Sequence, residues 1–190
     1  MKKIFIIHGW GGNPDEPLLV WLDSELQKKG YEVVRPAMPN PLEPKIEVWV
    51  AHLASLVGVP DENTYFVGHS IGCQTIMRYL STLPDDIKVV GGALFIAGWF
   101  NLAHLEEYDG QGAEDIGRPW IENPIDFEAI KKVCPAITVF LSTNEPYEYV
   151  EENKHTFEEK LNAKVFLIEN KGHFTAEDGV VSLPEALALL

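Results

Sequence analysis

The sequence has few cysteines and no long apolar run. Its two cysteines, Cys73 and Cys134, are too few for a disulfide framework or for a zinc site held by four cysteines. No apolar run approaches the roughly 18 residues that a membrane-spanning helix requires. The amino-terminal basic residues are followed by only four apolar residues before His8, which is too short for a secretory leader. We therefore expect a cytoplasmic protein that does not enter a membrane.

Basic residues are also scarce. Lysine and arginine together number 15 against 29 aspartates and glutamates, a net charge of −14, and the largest basic clusters are Lys-Lys pairs. Such a charge repels phosphate backbones and anionic membrane surfaces, so it argues against a nucleic-acid-binding protein. The 46% hydrophobic and 23% charged residues are ordinary for a globular protein. The length of 190 residues suits one domain, which we expect to span residues 1–190.

Short apolar runs alternate with longer segments in which apolar residues recur at helical spacing. Runs that are apolar on both faces and separated by helices predict a parallel sheet covered on both sides. We expect a doubly wound α/β fold with a mostly parallel, six-stranded sheet in a flavodoxin-like order. A capping-box pattern at Ser182 and Glu185 predicts a last helix that runs to Leu190. The predicted strands are residues 4–7, 31–35, 64–68, 89–97, 137–141 and 164–168.

Residues 99–125 interrupt this alternation. The segment leaves the carboxyl end of a predicted strand, where ligands bind in such folds, and long loops of this kind often act as lids. We therefore consider a lid-like insertion, with a surface excursion that carries its own short helix as the alternative. The segment is acidic, which favours neutral or cationic substrates. Its clustered carboxylates are Glu106, Glu107, Asp109, Glu114 and Asp115.

The motif Gly-His-Ser-Ile-Gly at residues 68–72 follows a predicted strand and begins a predicted helix. This context is that of a nucleophile elbow, a sharp turn that presents a serine hydroxyl at the edge of the sheet. Gly68 and Gly72 suit the turn because a Cβ atom at either position would strike the neighbouring strand or helix. Ser70 is therefore the candidate nucleophile, and the N–H of Ile71 is a candidate oxyanion donor. The alternative is a glycine-rich turn in which the serine only caps the helix.

A serine nucleophile needs a base and an acidic residue that orients the base. In the hydrolase chain order, serine is followed by the acid and then by the histidine. Of six histidines, His173 alone follows the sixth predicted strand, so it is the candidate base. After the fifth strand stand Asn144 and Glu145. An Asp-to-Asn change in a catalytic triad costs roughly 10⁴ in turnover, so we favour Glu145 as the acid while leaving open which of the two faces His173.

The glycine-rich loop after the first strand can supply a second oxyanion donor, for which the N–H of Trp10 is our candidate. A nucleotide-binding loop is the alternative, because Gly9 and Gly11 match the first two glycines of a Gly-x-Gly-x-x-Gly pattern. Pro14 occupies the position of the third, which argues against that alternative.

Several further residues are candidates for the substrate pocket. Cys73 lies one turn beyond Ser70 and is interpreted as a small core residue rather than a nucleophile. Aromatic side chains near the strand ends could line an acyl pocket or belong to the core. The candidate pocket residues are His69, Trp99, Phe100 and Trp120.

Four short motifs carry a resemblance to a known family, and they are residues 38–41, 68–73, 118–120 and 172–174. In these motifs the chain resembles the small serine hydrolases of the retinoblastoma-binding and bacterial YdeN-like family. The resemblance implies an α/β-hydrolase fold without the usual first two strands, with Ser70 as nucleophile and His173 as base. The family has an aspartate where this chain has Glu145. The Leu-x-Cys-x-Glu motif by which the animal member binds pocket proteins is absent, so no protein partner is carried over.

We expect a serine hydrolase that cleaves a small carboxylic ester or related acyl compound through an acyl-enzyme. This chemistry requires neither a metal ion nor another cofactor. A first alternative is a catalytically weak hydrolase-fold protein that serves in binding or interaction. A second is thioester cleavage or acyl transfer by the same residues, because a fold does not choose between these reactions.

Overall fold

A computed structural model describes residues 1–84, 87 and 89–187 of the chain. Its sheet has six strands in the order β2-β1-β3-β4-β5-β6, and every neighbouring pair is parallel. The predicted doubly wound fold and its flavodoxin-like order are thus confirmed. The strands are β1 (Lys3–Ile7), β2 (Glu32–Val34), β3 (Thr64–His69), β4 (Gly92–Ile96), β5 (Ile137–Ser142) and β6 (Lys164–Ile168).

Eight helices occur among the described residues, and both faces of the sheet are covered. They are α1 (Pro17–Lys28), α2 (Ile46–Val57), α3 (Ile71–Ser81), α4 (Leu105–Asp109), α5 (Ala113–Glu122), α6 (Phe127–Val133), α7 (Val150–Leu161) and α8 (Pro184–Leu187). Alternate side chains of β1 point to opposite faces. Ile4 and Ile6 pack with apolar residues of α1 and α8, whereas Phe5 and Ile7 pack with those of α2, α3, α6 and α7. Within the described part of the chain, no helix combines the length and apolarity that crossing a membrane requires.

The ends of some predicted elements were wrong. The predicted strand 89–97 is reduced to β4 because pairing with β3 begins where Gly92 lies opposite Tyr65. Before that point, Val90 donates its N–H to the carbonyl of Val133 at the end of α6. The predicted strand 31–35 is likewise reduced to β2. Helix α8 begins at Pro184, and the predicted end of that helix at Leu190 lies outside the described residues.

The segment 99–125 carries two helices, α4 and α5, rather than one, and the second is fixed to the body. Arg78 of α3 is buried, and its guanidinium donates hydrogen bonds to the carbonyl oxygens of Trp120 and Asn123, each at 2.9 Å. The Trp120 indole donates to the carbonyl of Pro44 at 3.1 Å and is only 1% exposed. The carboxyl end of α5 therefore belongs to the core of the protein.

Replacing Arg78 with methionine tests this anchor. Arg78→Met leaves the carbonyls at the end of α5 without donors, and we expect a loss of about 2–4 kcal/mol in the free energy of unfolding. Thermal unfolding should show a decrease in Tm of roughly 5–15 °C. Arg118→Met is the control, because the Arg118 side chain is 54% exposed and forms a surface ion pair with Asp115. Equal stability of the two variants would show that Arg78 does not anchor α5.

Candidate active site

The turn between β3 and α3 places Ser70 at the carboxyl edge of the sheet. Ser70 has φ 53° and ψ −121°, a strained conformation for a residue with a side chain. A Cβ atom at Gly72 would lie 2.4 Å from the carbonyl oxygen of Ile7 in β1, and one at Gly68 would lie 2.6 Å from the nitrogen of Cys73 in α3. The two glycines thus permit the close packing of helix and strands that produces the turn.

The hydroxyl of Ser70 lies at the wall of a cavity of about 540 Å³ that His173 also lines. Ser70 Oγ accepts a hydrogen bond from the indole Nε1–H of Trp99 at 3.4 Å. Among the described residues, no hydrogen bond joins Ser70 Oγ to the His173 ring. The structure therefore brings the two side chains to one cavity without a direct bond between them.

The imidazole of His173 contacts the carboxylate of Glu145. Its Nδ1 lies 2.8 Å from Glu145 Oε1, and both side chains are nearly buried, at 13% and 10% exposed. Among the described residues, no hydrogen bond joins the Asn144 side chain to the ring. Asn144 Oδ1 instead accepts hydrogen bonds from the backbone N–H of Gly172 at 2.9 Å and from the Ser142 hydroxyl at 2.7 Å. Of the two candidates after β5, Glu145 is the one that faces His173.

The turn that carries His173 is held by a carboxylate that the sequence analysis missed. Gly172 and Phe174 have φ values of 51° and 59°, so the backbone is in the left-handed region on both sides of the histidine. Asp178 Oδ2 accepts hydrogen bonds from the His173 N–H at 2.9 Å and from the Thr175 hydroxyl at 2.7 Å. The spacing of Thr175 and Asp178, three residues apart, was the available signal, because short polar side chains bond nearby backbone in turns.

A second missed residue, His8, shapes the glycine-rich loop after β1. His8 Nε2 accepts a hydrogen bond from the Met38 N–H at 3.0 Å, so the ring donates through Nδ1 to the carbonyl of Gly9 at 2.8 Å. Trp10 lies in the wall of the cavity, and its backbone N–H donates no hydrogen bond within the described chain. The N–H of Ile71 is the first of α3 and has no partner inside the helix. The two predicted oxyanion donors are thus N–H groups without a hydrogen-bond acceptor in the described part of the chain, and both residues line one cavity.

A sequence profile described as "Serine hydrolase" matches residues 4–190. The chain belongs to the serine hydrolase family. The hydrolase-named protein YdeN of Bacillus subtilis (strain 168) is 27% identical over 187 residues, which is 96% of this chain and 91% of YdeN. Serine hydrolase RBBP9 of Rattus norvegicus is 26% identical over 168 residues, which is 88% of this chain and 78% of RBBP9. The resemblance stated from the sequence is confirmed.

Solved structures agree with this assignment. The crystal structure of the ydeN gene product from B. subtilis superposes with a TM-score of 0.87 and 25% identity, covering 100% of this chain and 96% of that one. Est1E from Butyrivibrio proteoclasticus, in a structure with bound ferulic acid, superposes with a TM-score of 0.70 and 16% identity, covering 99% and 90% of the two chains. The second likeness concerns the fold alone.

The serine hydrolase places only some of the candidate pocket residues at the cavity. His69 and Trp99 line it. Phe100 and Trp120 do not: the Phe100 ring packs 4.5 Å from that of Phe157, and Trp120 packs against Trp49. For these two residues the structure favours the core alternative, because Trp120 belongs to the apolar core and Phe100 packs against it.

Cys73 is part of the core of the serine hydrolase rather than of its chemistry. It is fully buried, and its Sγ lies 3.5 Å from the carbonyl oxygen of Ile96. Burial raises the pKa of the thiol, so the reactive thiolate is disfavoured. The interpretation of Cys73 as a core residue agrees with this position.

The cavity of the serine hydrolase is acidic. Its lining, as far as the chain is described, contains four carboxylates and neither lysine nor arginine. Burial raises the pKa of Asp109 and of Glu16, although each accepts a hydrogen bond. The cavity carboxylates are Glu16, Asp109, Glu177 and Asp178.

Helix α4 is fastened to the turn that carries Glu145. The Tyr147 hydroxyl donates to Asp109 Oδ2 at 2.9 Å, and the Tyr147 carbonyl accepts from the Ala103 N–H at 2.9 Å. His104 Nε2 lies 3.0 Å from Glu148 Oε1. Helix α4, which forms part of the cavity wall, is therefore attached to the same turn as the Glu145 carboxylate that faces His173.

The buried His69 ring predicts acid sensitivity of the fold. Burial lowers the pKa of His69 from 6.5 to about 4. Between these values the unfolded chain binds a proton that the folded protein does not, so stability falls as the pH decreases. We expect a loss of about 3 kcal/mol in the free energy of unfolding between pH 6.5 and 4, measurable by urea unfolding.

The variant His69→Gln should reduce this pH dependence, whatever its stability at pH 7. His155→Gln serves as the control, because His155 lies exposed on α7. If His69→Gln and the wild type lost stability in parallel on acidification, the buried ring would not be the source.

Proposed function

We propose that this serine hydrolase cleaves small carboxylic esters through Ser70, His173 and Glu145. The observation that carries the proposal is the contact between Glu145 Oε1 and His173 Nδ1 at 2.8 Å. His173 lines the cavity that also holds the strained Ser70. A carboxylate on Nδ1 fixes the ring tautomer and stabilises the imidazolium that forms during catalysis.

The reaction begins with transfer of the Ser70 hydroxyl proton to His173. Because Nδ1 is bound to Glu145, Nε2 is the nitrogen that receives this proton. Hydrogen bonds between nucleophile and base are often loose in a free enzyme and tighten when substrate binds. A substrate in the cavity excludes water from the pair, and the hydroxyl then turns from the Trp99 indole toward His173.

The alkoxide of Ser70 attacks the ester carbonyl, and the carbonyl oxygen becomes an oxyanion. The N–H groups of Ile71 and Trp10 are the donors that stabilise it, each worth roughly 10²–10³ in rate. His173 next gives its proton to the leaving alcohol, and the acyl group remains on Ser70. A water molecule, deprotonated by His173, then releases the carboxylic acid and restores the serine.

The charge of the cavity restricts the substrate. Four lining carboxylates and no described cationic lining residue other than histidine create a negative field that lowers the local concentration of anions. We therefore infer that neutral or cationic esters are the substrates.

The lid-like part of the segment 99–125 is α4, since α5 is anchored by Arg78.

A catalytically weak binding protein is the second candidate. It is favoured by one observation: Ser70 Oγ accepts a hydrogen bond from Trp99 and makes none to His173 among the described residues. In this alternative, the cavity binds its ligand and the serine is not activated.

A fluorophosphonate probe separates the two candidates. The probe reacts only with an activated serine, so we expect covalent labelling of the wild type at Ser70, located by mass spectrometry of the peptides. Labelling should disappear in Ser70→Ala and slow by roughly 10²–10⁴ in His173→Ala, because the base is lost. Unlabelled wild-type protein that is correctly folded would favour the binding protein.

Exchanging Glu145 for glutamine tests the orienting carboxylate. Glu145→Gln keeps the size of the side chain but cannot stabilise the imidazolium, so we expect kcat for a short-chain p-nitrophenyl ester to fall by roughly 10²–10⁴. Glu169→Gln is the matched control, because Glu169 is an exposed carboxylate just beyond β6. Similar turnover of both variants would contradict the role assigned to Glu145.

A further inference from the structure

His69, the residue before the nucleophile, makes a long-range contact that the proposed reaction does not use. Its ring is buried, and its Nε2 lies 2.8 Å from the backbone carbonyl oxygen of His173, 104 positions further along the chain. A carbonyl oxygen only accepts hydrogen bonds, so Nε2 carries the proton and donates. Burial lowers the pKa of the ring to about 4, which keeps it neutral and in this tautomer at physiological pH.

The contact fixes a part of the His173 turn that no other described side chain holds. Asp178 accepts from the backbone N–H of His173, and Glu145 binds the ring at Nδ1. The carbonyl of His173 is bound by His69. The position of His173 relative to Ser70 is therefore set through the residue that adjoins Ser70 in the chain.

The other ring nitrogen of His69 faces the loop after β1. Nδ1 has no hydrogen-bond partner among the described residues and lies 3.8 Å from Glu16 Oε2. Glu16 Oε1 accepts from the backbone N–H of Asn13, so the carboxyl belongs to the same loop as Trp10. Burial raises the pKa of Glu16. If Glu16 Oε2 carried a proton, it could donate a hydrogen bond to His69 Nδ1, which is an acceptor. The two atoms would have to approach each other by about 1 Å.

We propose that His69 is a positioning residue for hydrolysis: its Nε2 joins the nucleophile turn to the His173 turn, and its Nδ1 joins the Trp10 loop when Glu16 carries a proton and approaches it. This inference rests on the proposed function. A misplacement of about 1 Å in a catalytic group costs roughly 10² in rate, so loss of the tie lowers kcat more than it changes KM. A residue that only filled space would show neither this split nor its rescue by another donor.

The test compares His69→Leu, which fills the space without a donor, with His69→Gln, whose amide can donate to the same carbonyl. For a short-chain p-nitrophenyl ester, we expect His69→Leu to lower kcat by ~10²-fold with KM changed by less than about threefold. His69→Gln should restore at least about one tenth of the wild-type kcat. His155→Leu on the exposed face of α7 is the control for loss of a histidine.

Glu16 provides a second pair that remains informative if His69→Leu does not fold. Glu16→Gln keeps a side-chain donor toward Nδ1 and Glu16→Leu does not, so we expect the first to retain at least about tenfold more kcat than the second. Equal kcat in the two His69 variants, or in the two Glu16 variants, would overturn the positioning role. A wild type that neither reacts with the fluorophosphonate probe nor hydrolyses esters would instead refute the proposed function.

Discussion

The close approach of α3 to β1 and β3 is the constraint on which the rest of the site depends. Only glycine fits at positions 68 and 72, because a Cβ atom at either would lie within 2.6 Å of backbone. With both glycines in place, the chain reverses so sharply that Ser70 adopts a left-handed φ of 53°. The strain is maintained by the packing around it, and it brings the hydroxyl out of the sheet to the wall of the cavity.

Around this fixed point, the site is assembled from turns that follow different strands. The turn after β5 provides Glu145, the turn after β6 provides His173, and the loop after β1 provides Trp10. Each turn is held by polar side chains: Asn144 binds the N–H of Gly172, Asp178 binds that of His173, and His8 holds the carbonyl of Gly9. The precision of the site is thus a property of these supporting hydrogen bonds as much as of the reacting groups.

Local rules allowed the fold and the elbow to be predicted from the sequence. The strand–Gly-x-Ser-x-Gly–helix pattern involves only residues that are close together in the sequence. Parallel strands bring their carboxyl ends to one edge of the sheet. The length of β4 was not predictable, because its first residue is set by register with β3. For Phe100 and Trp120 the sequence left pocket and core as alternatives, since aromatic side chains suit both equally well.

The supporting contacts were beyond sequence reasoning for a different reason. The partner of His69 lies 104 positions away and that of Arg78 lies 42 positions away. Both partners are backbone carbonyls, which every residue type has, so the sequence does not indicate which residue provides them. The choice between Asn144 and Glu145 was accessible through chemistry, and the structure places Glu145 against His173. The catalytic roles of Ser70, His173, Glu145, Ile71 and Trp10 remain predictions that this geometry supports.

The attachment of α4 to the turn of Glu145 has a consequence for selectivity. Helix α4 lies at the cavity of about 540 Å³, and it is tied to that turn through Tyr147 and Glu148. If a bulky compound displaced α4 outward, the displacement would also pull the Glu145 carboxylate away from the imidazole, and the proposed catalysis would stop while the compound is bound. Under the proposed mechanism, the cavity would then discriminate against large compounds by losing its catalytic geometry rather than by a rigid barrier.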